Sequence, residues 1–176
     1  MSSKFKNILI GLLCCLVVAC ATTSTIEVSS NNIVSLNDAP AIKFSTSGWA
    51  HTNTTNPFLL TPDYLTNAML GVSRMKSGES FPNQGPVIPI KLNPDVLESL
   101  LREKLSSKSE LKVSKETINN RVVAIANYAD GVKNGIEYLL ILDGSLVHVL
   151  LIAERGQYFS DGRNVARKVV ETINVK

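Results

Sequence analysis

The amino-acid sequence predicts an α+β domain in which a central antiparallel sheet is packed between helices. The pattern along the chain is short strands, a helix near position 94, four long strands and a last helix. Two of the long strands, IEYLLIL and LVHVLLIA, are apolar at nearly every position, which is typical of strands covered on both faces. The two helices are expected to provide that cover.

The N-terminal part of the domain is expected to contain a hairpin and one longer strand. Ile33–Leu36 and Ala41–Phe44 are short strand patterns separated by an Asn-Asp-Ala-Pro turn cluster. Residues 46–89 are irregular in pattern, except for a strand expected at Ala68–Met75. Long ordered loops of this kind are often functional.

A helix is expected at residues 94–106. Asn93 can act as the N-cap, Pro94 suits the first helical position, and Asp95 places a negative charge in the first turn. The apolar residues that follow at helical spacing are Val96, Leu97, Leu100, Leu101 and Leu105. The charged residues Glu98, Arg102, Glu103 and Lys104 are expected on the solvated face.

Four strands are expected in the C-terminal half, joined in pairs by two-residue turns. Asn119-Asn120 and Asp143-Gly144 tolerate the positive φ angles that such turns require. The flanking strands are Leu111–Ile118, Arg121–Ala129, Ile136–Leu142 and Leu146–Ala153. A final helix is expected at Asp161–Val175, capped by Ser160, because apolar residues recur there at four-residue spacing.

The first 19 residues have the pattern of a secretory signal peptide. Two cations, Lys4 and Lys6, precede an apolar run from Ile8 to Ala19. A membrane-spanning helix needs roughly 20 apolar residues, so this run is too short for a permanent span. The sequence therefore predicts a segment that is cleaved after export.

Val17-Val18-Ala19-Cys20 resembles the lipobox of bacterial lipoproteins. The resemblance implies that the Cys20 thiol carries diacylglycerol and that its α-amino group is acylated after cleavage, an anchor of several acyl chains that holds stably. Ala21, where Asp would favour inner-membrane retention, resembles lipoproteins sorted to the outer membrane, facing the periplasm. The alternative is an ordinary signal peptide whose cysteines are small apolar residues.

The expected organisation is a signal peptide at 1–19, the lipidated cysteine with a flexible tether at 20–31, and one α+β domain at 32–176. Ile26–Val28, within the tether, could already open a strand. Lys4 and Lys6 account for two of the 18 basic residues, so 16 Lys and Arg stand against 15 Asp and Glu in the mature chain. This balance disfavours nucleic-acid binding. Only Cys20 remains after cleavage, which excludes disulfides.

The order of elements, with NGIEYLLIL, SLVHVLLIA and YFSDGRNVARKVVETINV closing the chain, resembles the PsbP-like and DcrB-like domains. In those domains a central antiparallel sheet lies between helices, and a late aromatic residue precedes the final helix, as Phe159 does here. The resemblance covers roughly residues 32–175. It implies a non-enzymatic binding or assembly factor, although fold analogy alone is a weak warrant for function.

No reaction motif is present in the sequence, which lacks a phosphate-binding glycine loop, HExxH and GxSxG. His148 and Ser145 lie three apart on one strand and point to opposite faces, so a structural role is expected for His148. His51 lacks the nearby carboxylates of a zinc site. Asp130–Gly135 superficially resembles a calcium loop, but Lys133 in its middle favours a hairpin connection. We therefore expect no catalytic residue, metal or cofactor.

The region with the most aromatic character is the best candidate for partner binding. Aromatic side chains are enriched at interface hot spots. The candidate residues are Trp49, His51, Phe58, Tyr64 and Phe81. The alternative is that these side chains close one end of the sheet core.

Three functions are consistent with these observations. The first is an outer-membrane lipoprotein that binds another envelope protein as an assembly or accessory factor. The second is an immunity lipoprotein that neutralises a toxin delivered to the periplasm. The third is a hydrolase whose site is assembled from dispersed residues.

Overall fold

The computed structural model describes residues 26–28, 33–36, 42–45, 49–51, 58–61, 67–81 and 85–175. The expected signal peptide, Cys20 and Tyr64 lie outside the described residues, and what was expected of them stays a prediction. The described elements, in chain order, are β1 (Ile26–Val28), β2 (Ile33–Leu36), β3 (Ile42–Ser45), β4 (Ala50–His51), β5 (Phe58–Thr61), β6 (Ala68–Met75), α1 (Val96–Lys104), β7 (Ser109–Ile118), β8 (Arg121–Asp130), β9 (Lys133–Leu142), β10 (Ser145–Glu154), α2 (Gln157–Thr172) and β11 (Asn174–Val175).

The described strands form two antiparallel sheets. The larger has the order β4-β5-β6-β10-β9-β8-β7, and the smaller has the order β1-β2-β3-β11. The pairing of β2 with β3 confirms the expected N-terminal hairpin, and β6 has the bounds expected from the sequence. Ile26–Val28 forms β1, which pairs with β2, so this part of the expected tether does open a strand.

Each of the two helices covers one face of the larger sheet. On β10, Leu146 packs with the apolar residues of α1, whereas Val147 and Val149 pack with those of α2. The same alternation holds on β9, where Leu139 lies with α1 and Leu140 with α2. The α+β class and the burial of both faces of these strands are therefore confirmed.

The expected turns are also confirmed. Asn119 and Asn120 have φ angles of 47° and 61°, and Asp143 and Gly144 have 47° and 68°. Positive φ at both central residues matches the right-handed twist of the strands that flank a two-residue hairpin loop. Gly131, with φ of 62°, lies in the turn between β8 and β9, so the segment at Asp130–Gly135 is a hairpin connection as expected.

The bounds of the helices differ from the expected ones. Helix α1 ends at Lys104, two residues before the expected end. Helix α2 begins four residues before Asp161, so the prediction that Ser160 caps it is wrong. Ser160 lies inside the first turn, where its backbone N–H donates to the Gly156 carbonyl at 3.1 Å. The last residues of the expected helix, Asn174 and Val175, instead form β11, which pairs with β3.

The prediction that residues 46–89 are irregular except for one strand is wrong for two short segments. β5 pairs with β6 through Phe58↔Val72 and its neighbours, and β4 pairs with β5. Both strands lie at one edge of the larger sheet, and β4 is two residues long while β5 is four residues long. Segments of this length carry too little alternation to be recognised without their partner strand.

The C-terminal end of α2 is held by two side chains, Asn119 in the turn between β7 and β8 and Arg121 at the start of β8. The Arg121 guanidinium donates to the carbonyls of Ile173 at 2.5 Å and Val170 at 3.1 Å, and the Asn119 amide donates to the Glu171 carbonyl at 2.7 Å. These carbonyls have no partner within the helix, so the contacts satisfy acceptors that would otherwise be exposed. They also set the position of α2 over the sheet.

Candidate functional site

A buried glutamate lies at the centre of the sheet on the face covered by α1. Glu137, in the middle of β9, is 1% exposed. Its Oε1 accepts hydrogen bonds from Lys104 Nζ at 2.8 Å and from the Tyr128 hydroxyl at 3.0 Å. Its Oε2 accepts from the same Lys104 Nζ at 2.8 Å and lies 2.7 Å from His148 Nε2. We call these four residues the Glu137 network.

The network keeps Glu137 ionised. Burial alone would raise the pKa of Glu137, but the hydrogen bonds and charges of His148 and Lys104 outweigh burial and lower the pKa to about 2. Burial and the adjacent Glu137 carboxylate raise the pKa of Tyr128, so its hydroxyl stays a donor at neutral pH. The arrangement is a carboxylate whose two oxygens are fully engaged by donors.

The strand register brings these residues together. His148 is directly opposite Leu139 on β9, and Tyr128 is directly opposite Gly135. Both are therefore diagonal neighbours of Glu137, one from each side, on the same face of the sheet. Gly135 is required because a Cβ atom at that position would collide with the Tyr128 ring.

Aromatic rings and apolar side chains enclose the Glu137 network. Phe81 is 1% exposed and its ring meets the His148 ring edge to face, with centroids 5.6 Å apart. Lys104 Nζ lies 5.8 Å from the centre of the Phe81 ring. The network therefore joins α1 to the sheet inside the core.

A polar groove lies on the opposite face, between α2 and the strands β7, β8 and β9. Helix α2 packs chiefly against β10 and β6 of the larger sheet and against β3 of the smaller one, which leaves the β7 side of this face open. The groove has a volume of about 430 Å³, and a smaller hollow of about 160 Å³ shares Asn127 with it. The polar side chains that line it include Ser114, Glu116, Asn127, Tyr138, Arg163, Asn164 and Arg167.

The two arginines of the groove differ in their partners. Arg167 forms an ion pair with Glu116 and donates through Nε to Glu171 Oε1 at 3.1 Å. Arg163, one helical turn earlier, lines the groove beside Tyr138, and no carboxylate among the described residues lies within ion-pair distance of it. Burial raises the pKa of Tyr138, so its hydroxyl remains neutral beside the arginine.

The expected partner-binding residues are not brought together on one surface by the described side chains. Trp49 is half-buried and packs against the core on the α2 side, whereas Phe81 is fully buried on the α1 side. For Phe81 the structure favours the core alternative. His51 and Phe58 contribute backbone to β4 and β5, and their side chains, like Tyr64, lie outside what the structure describes.

His148 is buried, at 5% exposure, as its expected structural role requires. The expectation that Lys104 lies on the solvated face of the helix is wrong. Its side chain is 16% exposed because the ammonium group turns toward Glu137.

Sequence reasoning missed Glu137 altogether. The signal was present, since a lone carboxylate in IEYLLIL cannot be buried without partners, and the Asp143-Gly144 turn fixes His148 beside it.

The described residues contain no group of three or more His, Cys, Asp or Glu side chains that could hold a metal ion. Within the same part of the chain, no helix is long and apolar enough to cross a membrane.

Comparisons with known proteins relate this chain to solved structures only. A crystal structure from Bacteroides thetaiotaomicron VPI-5482 is similar with a TM-score of 0.53 and 13% identity, over 88% of this chain and 49% of that one. The solution structure of cyanobacterial PsbP (CyanoP) from Synechocystis sp. PCC 6803 is similar with a TM-score of 0.47 and 11% identity, over 90% and 96%. No family model and no curated protein matches.

A PsbP protein is thus among the solved structures that this chain is similar to. The chain spans about half the length of the Bacteroides protein. At such low identities the likeness concerns the fold alone.

Proposed function

We propose that this chain is a bacterial lipoprotein, anchored through Cys20 in the outer membrane and facing the periplasm, that binds another envelope protein as an assembly or accessory factor. The binding is non-enzymatic and uses no cofactor. A lipid anchor and a compact domain with an open polar surface suit this role.

The observation that carries the proposal is the groove between α2 and β7–β9. Its volume of about 430 Å³ is in the range of ligand-binding clefts, and its lining combines arginine, amide and hydroxyl groups with a buried tyrosine. The Glu137 network, by contrast, is enclosed, and both of its carboxylate oxygens are engaged. The chemistry open to a partner is therefore that of the groove.

The binding role is tested by photo-crosslinking in cells that carry the lipidated protein. A photoreactive residue replaces Asn164, which lines the groove, and in a control it replaces Lys168, which is exposed on the same helix and does not line it. We expect a specific envelope protein to crosslink from position 164 and not from 168. Asn127→Trp, which fills the groove, should abolish the crosslink.

Two results would contradict the binding role. One is identical crosslinking from both positions with no effect of Asn127→Trp. The other is turnover in a broad hydrolase screen that a single substitution abolishes. The anchor is tested separately, by metabolic labelling with palmitate of the natural chain and of a Cys20→Ala variant, which should not be labelled.

A further inference from the structure

We propose that β7 is a self-association edge, along which two copies of this chain pair strand to strand, antiparallel, about a two-fold axis at Ser114. The inference goes beyond the proposed function and rests neither on the groove nor on the lipid anchor. β7 is the last strand of the larger sheet, and among the described residues it pairs with β8 alone. A sheet edge presents unpaired backbone groups to which another strand can bind.

The turn between β7 and β8 fixes which backbone groups of β7 point outward. Ile118 and Arg121 flank the two-residue turn and therefore form a hydrogen-bonded pair. Hydrogen-bonded and non-hydrogen-bonded pairs alternate along an antiparallel ladder, so every second residue, including Val113 and Lys115, directs its N–H and C=O away from β8. A contact from α1 agrees with this direction, because the Arg102 guanidinium donates to the Val113 carbonyl at 3.2 Å.

The part of the edge that is regular enough to pair is Lys112–Ile118. A β-bulge between Ser109 and Lys112 interrupts the ladder, and Glu110 within it has a φ angle of 54°. Bulges bend an edge strand and end its pairing. Beyond the bulge, the Val113 carbonyl has two lone pairs, so it can accept from a facing amide in the plane of the sheet as well as from α1.

The charges of β7 select one register for two copies. Outward-facing residues can hydrogen-bond only to outward-facing residues, so the two-fold axis must pass through a residue of the strand. An axis at Lys112, Lys115 or Glu116 would place that charged side chain against its own copy, which is unfavourable. An axis at Val113 would place Lys112 against a serine. An axis at Ser114 places Lys112 of each copy against Glu116 of the other.

This charge pairing supports a second copy of the chain as the occupant of the edge. Lys112 is exposed and has no ion-pair partner among the described residues. Glu116 shares its only described cation, Arg167, with Glu171. Lys112 of a second copy would therefore give Glu116 a cation of its own. The strand carries both halves of a cross-strand ion pair, at positions that a two-fold axis brings together.

The backbone completes the pairing. With the axis at Ser114, Val113 of each copy faces Lys115 of the other, and both residues have outward-facing N–H and C=O groups that they exchange as hydrogen bonds. The larger sheets of the two copies would then form one continuous sheet. A single pair of short strands is small for an interface, so we expect a dimer that depends on protein concentration.

Disulfide trapping with Ser114→Cys tests the register. In the proposed dimer, position 114 faces its own copy in a non-hydrogen-bonded pair, with Cα atoms about 4.5 Å apart, which a disulfide can bridge. The full chain is purified from membranes in detergent and kept in a glutathione redox buffer, so that the disulfide yield reflects the equilibrium. We expect a covalent species of twice the mass of the chain. The natural chain controls for Cys20 and should give none.

A second cysteine position controls for random collisions. Thr117 is exposed on the same strand, but in the proposed register it faces Leu111 of the second copy and lies far from its own equivalent. Thr117→Cys should therefore give little or no disulfide under the same conditions. Equal yields from the two positions would mean that the edge has no fixed register.

Further variants, made in the Ser114→Cys chain, separate the contributions of charge and backbone. Lys112→Glu turns two attractive cross-strand pairs into repulsive ones and should raise the protein concentration of half-maximal crosslinking by roughly tenfold. Lys168→Glu makes the same charge change on α2 and should leave that concentration unchanged. Lys115→Pro removes an outward N–H, which an edge strand tolerates, and should abolish crosslinking. Cooperative urea unfolding shows that each variant is folded.

Three results would overturn the inference. The first is the absence of a disulfide from Ser114→Cys, or equal yields from Thr117→Cys. The second is unchanged crosslinking in Lys112→Glu and Lys115→Pro chains that unfold cooperatively. The third is a disulfide from position 114, formed in intact membranes, to a protein of another mass, which would show that the edge receives a strand from a different partner. Photo-crosslinking from position 164 reports on the groove independently of all three.

Discussion

Lys104 Nζ lies 2.8 Å from both carboxylate oxygens of Glu137, although the two residues are 33 positions apart in the chain. Lys104 is the last residue of α1, and Glu137 is at the centre of the sheet. A buried ion pair is not in itself strongly stabilising, because both charges lose their hydration. Removing one partner is costly, since the other charge is then buried without its counterion.

The first prediction concerns this pair. Lys104→Met should lower the free energy of unfolding by about 3 kcal/mol or more, because Glu137 loses its cationic partner while remaining buried. Urea unfolding monitored by circular dichroism measures the change. Lys115→Met is the matched control, since the ion pairs of Lys115 with Asp95 and Glu98 are 3.8 Å long and exposed. Equal stabilities of the two variants would contradict the proposed importance of the pair.

The second prediction is a pH dependence that arises from Glu137. Its pKa is about 2 in the folded protein and close to 4.5 in the unfolded chain, so the folded state binds the proton less readily. The stabilisation from ionised Glu137 is therefore fully present above about pH 4.5 and is lost as the pH falls through about 2. Glu137→Gln should be less stable at neutral pH and should show a shallower loss of stability over this interval. Parallel urea midpoints for the two proteins over the same pH range would be inconsistent with this assignment.

The third prediction concerns the glycine opposite Tyr128. Gly135→Ala places a methyl group against the Tyr128 ring, which must move and give up its hydrogen bond to Glu137. We expect a loss of about 1–3 kcal/mol in the free energy of unfolding. Gly78→Ala is not a suitable control because Gly78 has a positive φ angle. A better control is Tyr128→Phe combined with Gly135→Ala. If the hydrogen bond matters, Gly135→Ala should cost less in the Phe background than alone.

The fourth prediction concerns the end of α2. Arg121→Met removes the two hydrogen bonds to the carbonyls of Val170 and Ile173. The expected loss is about 2 kcal/mol, together with faster amide exchange in the last turn of the helix. Arg155→Met is the control, because Arg155 makes one longer bond of 3.3 Å to the Gly131 carbonyl at the surface. Unchanged exchange in Arg121→Met would argue against the capping role.

The fifth prediction concerns Trp49, which was expected either to bind a partner or to close the core. A Cβ atom added to Gly162 would lie 3.2 Å from Trp49 Cη2, so the indole packs directly on α2. Trp49→Ala should therefore lower the melting temperature by roughly 5 °C, for a loss of about 2 kcal/mol of apolar burial. An unchanged melting temperature with loss of the crosslinked partner would instead support an interface role.

The features that the sequence determined are those with a local physical cause. Asn119-Asn120 and Asp143-Gly144 specify turns because these residues accept positive φ angles, and those turns set the register of the strands on either side. The apolar run of β9 specifies burial on both faces because no side of it could face water. The α+β class follows from the order of such segments.

Tertiary structure decided the remaining features. Whether Lys104 faces water or Glu137 depends on where α1 docks, and periodicity within the helix does not contain that information. The start of α2 at Gln157 and the two short strands β4 and β5 likewise depend on contacts with segments distant in the chain. The groove beside Arg163 exists because α2 covers only part of one sheet face, which is a property of how helix and sheet pack together and not of either segment alone.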